Sequence, residues 1–166
     1  MSGQDGGPRI PIELLTQELR WTSESDGYLY HATSVNRLAR ILREGFRFTG
    51  RSIAGRGGGY EDHSIGRIFF SERPGASFWQ ERIEAHLFDQ YDDPPDVVVL
   101  RVPRSALDRL LQEDPLGSED ARSPSYFVDA ADLEDVPVRL VNPETVEEIL
   151  SGPPEDVEDP ERGLLP

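Results

Sequence analysis

The sequence contains no cysteine and, across 166 residues, no lysine; all 17 of its basic residues are arginine. Without cysteine there are no disulfides, no thiolate nucleophile, and no thiolate-bound zinc or iron–sulfur site. Apolar residues make up 36% of the chain, below the roughly 45–50% of ordinary globular domains, a figure that also counts glycine. No stretch approaches the roughly 18–20 apolar residues that span a bilayer. Residues 1–11 lack both a basic segment and an apolar run, so no secretory signal is expected. A soluble, cytoplasmic protein with a modest core is the expectation. No H-E-x-x-H spacing is present, and the three histidines, His31, His63 and His86, are dispersed. That argues against a metal centre. The G-x-S-x-G elbow of serine hydrolases is missing. The glycine-rich stretch at 55–60 lacks the Gly-Lys-Ser/Thr end of a phosphate-binding loop.

Abundant acid balances these absences. The 32 Asp and Glu residues give a net charge of −15. Such a field opposes long-range attraction to nucleic acid, whose binding depends on neutralising phosphates. Locally the sign reverses, because Arg37, Arg40, Arg43, Arg47, Arg51 and Arg56 crowd into twenty residues. Fourteen prolines and fifteen glycines predict long connections, above all over 49–66, where a loop of this length is often functional.

Periodicity gives an α+β order. Residues 1–26 read as an arm with a short helix over 12–20, carrying Ile12, Leu15 and Leu19 on one face. A strand over 27–31 leads into a helix capped by Thr33 or Ser34 and stopped by Gly45. A short strand over 68–71, a helix over 74–89 and the strongest strand, 97–102, follow. Next come a helix over 104–112, a loop over 113–124, strands near 126–128 and 136–141, and a last helix over 143–150. The tail, 152–166, is acidic and proline-rich, a composition expected to be disordered.

Three segments stand out chemically. His31 closes a strand at the entrance to a capped helix, where an imidazole can bond a ribose hydroxyl and backbone N–H groups favour an anion. Gly66-Arg67-Ile68-Phe69-Phe70-Ser71 leads into Ala76-Ser77-Phe78-Trp79. Near the end, Glu134 and Asp135 precede a strand and the segment Val141-Asn142-Pro143-Glu144.

Taken in order, these segments resemble the histidine-type ADP-ribosyltransferases, the branch of diphtheria toxin and the poly-ADP-ribose polymerases. The resemblance extends to the DarT toxins and the tRNA 2′-phosphotransferases, and covers about residues 28–150. It implies a domain over 27–151 with a split antiparallel sheet, and NAD as co-substrate. It implies that His31 and Thr33 hold a ribose, and that Phe69, Ser77 and Trp79, with Tyr60 as a further wall, surround nicotinamide. Glu134 would stabilise the charge that develops as nicotinamide leaves. The acceptor would be protein or nucleic acid, with an antitoxin as a further partner. Ala32 for Gly and Phe69 for Tyr depart from the family pattern. They leave open a non-catalytic interaction module, and the Arg37–Arg56 cluster leaves open an RNA 2′-phosphotransferase.

Overall fold

The computed structural model describes residues 9–15, 20, 22–46, 66–134 and 136–144. Strands β1 (Ile10–Leu14), β2 (Tyr28–Ser34), β3 (Arg67–Ser71), β4 (Val97–Pro103), β5 (Gln112–Glu113), β6 (Ser125–Asp129) and β7 (Val138–Leu140) form one seven-stranded sheet. Helices α1 (Val35–Glu44), α2 (Ala76–Gln90), α3 (Pro115–Ala121) and α4 (Ala130–Leu133) lie between them. The class is α+β. Strand order is β5-β6-β3-β2-β4-β1-β7. Every pairing is antiparallel except β1 with β7, which is parallel. None of the described helices is long and apolar enough to cross a membrane.

Burial explains this order. β4 places Val98, Leu100 and Val102 in the main core and Val99 in a second cluster on the other face. It is therefore apolar on both sides, as an interior strand must be. It pairs along its whole length with β2, Tyr28 opposite Pro103 through Ser34 opposite Val97. In β2, Leu29 joins the main core while Tyr30 and Ala32 turn to the second cluster, against Ala76 of α2. Leu38 and Ile41 of α1 pack into the main core, and Ile83 and Leu87 of α2 cover the opposite face.

The ends of α1 are set by chemistry legible in the sequence. Ser34, rather than Thr33, is the cap: its Oγ accepts from Arg37 N–H at 3.1 Å. Gly45 ends the helix with φ 80°, its N–H donating to Ile41 O at 2.8 Å. A Cβ there would lie 2.8 Å from Val136 O, so glycine is required by both backbone angle and space.

Three sequence expectations are corrected. The helix over 12–20 gives way at its start to β1. Ile10, Ile12 and Leu14 are buried and alternate with half-buried Pro11 and Glu13, so the period is two, not 3.6. A neighbour on each side decided it, β4 and β7. The Asn142 side chain adds to this seam, Oδ1 accepting from Leu14 N–H at 3.1 Å and Nδ2 donating to Leu14 O at 2.8 Å. The helix over 104–112 is instead a 3₁₀ turn at Arg104–Ala106, further turns, and β5. The loop over 113–124 contains α3, capped by Asp114 through Gly117 N–H at 3.1 Å, with Pro115 in its first turn. The expected tail over 152–166, most of the 49–66 loop and all but the start of the last helix fall outside the described residues.

Candidate functional site

The sheet forks between β2 and β3. Among the described residues these strands pair at one position, Tyr30 opposite Ser71, whereas β3 and β6 pair over five. Past that position β2 carries His31 and Ala32, and β3 carries Arg67, Ile68, Phe69 and Phe70. All of them line one cleft, with a cavity volume of about 70 Å³. Helix α1 contributes Arg37 and Ile41 to the walls, and α2 contributes Trp79 and Ile83; Phe46, Asp114 and Ser125 complete them.

His31 spans the fork. Its Nδ1 lies 2.8 Å from Phe69 O. A carbonyl oxygen only accepts, so Nδ1 carries the proton and donates. The ring is packed edge-on to Phe46, centroids 5.7 Å apart, and at 5.4 Å from Phe70. Desolvation in this aromatic setting lowers its pKa to about 4, the Arg37 charge acts the same way, and the bond to Phe69 O opposes both. The imidazole is therefore neutral at pH 7, and its Nε2 is left as an acceptor.

The other expected residues divide. Phe69 and Trp79 line the cleft with His31. The Phe69 ring lies 6.0 Å from that of Phe127, over which the Arg67 guanidinium sits at 4.2 Å. Trp79 meets Phe78 edge-on at 5.0 Å. Thr33 is buried opposite Val98 in the β2–β4 ladder and is not in the cleft wall, although it shares the strand face of His31. Ser77 is half-buried on α2 and also lies outside the wall. Tyr60 falls outside the described residues.

Glu134 is not brought to His31 in the cleft. It is exposed at the C-terminal cap of α4, its N–H donating to Ala130 O at 3.0 Å. β6 lies next to β3 but β7 forms the far edge beyond β1, so Glu134 starts the crossing between them. Counting back from the Val141-Asn142-Pro143-Glu144 segment cannot reveal that crossing. The carboxylate that does line the cleft is Asp114, only 1% exposed, with Oδ1 held by the α3 cap.

Arg67, Asp114, Ser71 and Ser125 were not singled out as site residues from the sequence, and Arg37 was noted only as a member of the basic cluster. Two signals were available: Arg37 follows His31 by a strand end and half a helical turn, and Asp114-Pro115 is a cap-and-first-turn pair. The serines carried no signal before strand pairing was known.

A second polar cluster braces the other end of β3. Tyr126 OH donates to Glu72 Oε2 at 2.7 Å, and Arg104 Nη1 reaches the same oxygen at 3.2 Å and Tyr126 OH at 3.0 Å. Ser25 Oγ donates to Glu72 Oε1. The groups follow β3 and β4, precede β2 and belong to β6, so the cluster ties both sides of the fork together.

Comparisons of the chain with family models, curated proteins and solved structures give no match.

Proposed function

We propose that this chain is a cytoplasmic, NAD-dependent ADP-ribosyltransferase with an ADP-ribosyltransferase-like split sheet, acting on a protein or nucleic-acid acceptor. One observation carries the reading. A neutral histidine is locked across a fork in the sheet by its Nδ1–H, with aromatic and cationic side chains around the cleft it borders. Its Nε2 suits a ribose hydroxyl, which needs an acceptor. Phe69 and Trp79 offer π faces to a planar ring. Arg37 and Arg67 oppose the protein's overall acidity at the cleft and suit a diphosphate. This donor set suits a dinucleotide.

Bound NAD supplies a glycosidic bond to nicotinamide, whose cleavage leaves positive charge at the anomeric carbon. The chain's part is to hold and to stabilise. His31 orients the ribose, and a fixed carboxylate stabilises charge without reorganising. The reading gives that role to Asp114, since Glu134 does not line the cleft.

Nicotinamide release from NAD, with labelled ADP-ribose followed onto cell-extract acceptors, tests this. His31→Asn keeps a donor for Phe69 O and removes the Nε2 acceptor. Asp114→Asn keeps the helix cap and removes the charge. Each is expected to lose about a hundredfold in turnover, while Glu134→Gln stays within about twofold of wild type. Equal rates in all four proteins would discard the site. Turnover lost in Glu134→Gln alone would return the role to that residue.

The two cleft arginines also favour a second reading, an RNA 2′-phosphotransferase. It predicts NAD consumption only with 2′-phosphorylated RNA, and loss of it in Arg37→Ala. Tight binding of a protein partner with no NAD binding would instead indicate a non-catalytic module.

A further inference from the structure

We propose that Gly117 is a positioning residue for the cleft chemistry: the space left by its missing side chain sets the Asp114 carboxylate beside Trp79 in the cleft wall. The assignment rests on the reading in which that carboxylate stabilises charge developing on NAD. Gly117 is buried in the first turn of α3, and its backbone angle is helical, so the angle does not call for glycine. Space does. A Cβ there would fall 3.0 Å from Asp114 Cγ, well inside contact with Oδ2, and 3.2 Å from Trp79 Cζ2. Carboxylate, indole edge and glycine therefore converge on one point.

Capping alone does not need this glycine. Asp114 caps α3 by accepting from Gly117 N–H at 3.1 Å, and Gly117 is the third helical residue. Ordinary caps carry long side chains at that position, the Glu or Gln of a capping box among them. Glycine also weakens a helix relative to residues with a side chain. Here the carboxylate leans over the glycine instead. The Asp114 backbone is fixed on both sides, its N–H donating to Ser125 O at 2.9 Å and its C=O accepting from Ser118 N–H at 2.9 Å. Trp79 is tied to the same helix, since Arg82 sits over the indole at 5.6 Å and pairs with Asp120 of α3 at 3.4 Å. A methyl at 117 would thus turn the carboxylate away from its place in the wall, because the side chain of Asp114 can rotate and its backbone cannot shift. Electrostatic stabilisation depends on a charge held in one place. The substitution keeps the charge and removes its placement.

The test measures nicotinamide release from NAD per folded molecule of the full chain, with folding followed by circular dichroism and thermal unfolding. Gly117→Ala is expected to lose about a hundredfold in turnover, as Asp114→Asn does. Added to Asp114→Asn, it should change turnover by less than about twofold, because it acts through a charge already gone. It should still lower Tm in that background, since the amide has the shape of the carboxylate. A glycine that served only the fold would change turnover alike in both backgrounds. That result, or wild-type turnover in Gly117→Ala, overturns the proposal. Should Gly117→Ala not fold, Asp114→Glu decides, because it keeps the glycine and the charge but moves the carboxylate by one methylene. A loss of about a hundredfold there upholds the proposal, and turnover within about twofold of wild type overturns it. If Asp114→Asn loses turnover and Gly117→Ala does not, this inference falls and the NAD reading stands. If wild type releases no nicotinamide, both fall.

Discussion

His31 makes a quantitative prediction about acid stability that is independent of any ligand. Its pKa is lowered from 6.5 to about 4 by desolvation. The unfolded chain therefore takes up the His31 proton as pH falls through about 6.5, while the folded protein resists until about 4. Below the first value the unfolded state binds more protons, so stability rises with pH across this window and is lost on acidification. At about 1.4 kcal/mol per pH unit the full loss is about 3 kcal/mol. At pH 5 it is about 2 kcal/mol, since some 3% of unfolded molecules remain unprotonated at this site and most folded ones do. Subtracting a variant cancels the contributions of the chain's 32 carboxyl-bearing side chains. His31→Asn is that variant, because its side-chain N–H₂ can still reach Phe69 O but does not titrate. Urea unfolding at pH 7.5 and at pH 5 gives four free energies. Wild type should lose about 2 kcal/mol more than His31→Asn between the two pH values. An equal loss in both proteins would show that the imidazole is not desolvated in the fold, and would remove the argument for a neutral acceptor at the cleft.

Further outcomes follow from the helix ends and turns. Gly45→Ala should cost more than Gly27→Ala in chemical denaturation. Both glycines have φ 80°, but a Cβ at 45 meets Val136 O at 2.8 Å while one at 27 meets nothing within 4 Å. The second should cost about 1 kcal/mol from backbone strain alone, and equal costs would refute the close approach. Ser34→Ala removes the α1 cap and should cost about 1 kcal/mol. A Thr33→Ala variant with the same loss, and an unaffected Ser34→Ala, would move the cap to Thr33.

Local chemistry was written plainly in the sequence. A cap at Thr33 or Ser34, the Gly45 stop and the apolar stripe of Leu38 and Ile41 define α1 without reference to anything else, because capping and helical periodicity involve residues at most four apart. The run Val97–Val102 announced an interior strand, since only a strand covered on both faces tolerates apolar residues at consecutive positions. That His31, Phe69 and Trp79 share one cleft was implied by the family resemblance, and all three line it. Other assignments required the sheet. Ile10, Ile12, Leu14 and Leu15 satisfy a helical and a strand period in part, and the hydrogen-bonding edges of β4 and β7 decided between them. The cleft acid could not be chosen from spacing. Glu134 and Asp114 are both acidic, but the strand order sends the chain after β6 to the far edge of the sheet and leaves Asp114 beside the fork. Ser71 is placed in the cleft wall only by pairing, between Tyr30 and Ser125 where two strands part. Short-range rules fix where a helix starts and stops, whereas the company a side chain keeps across a sheet is set by segments dozens of residues away, which no local pattern encodes.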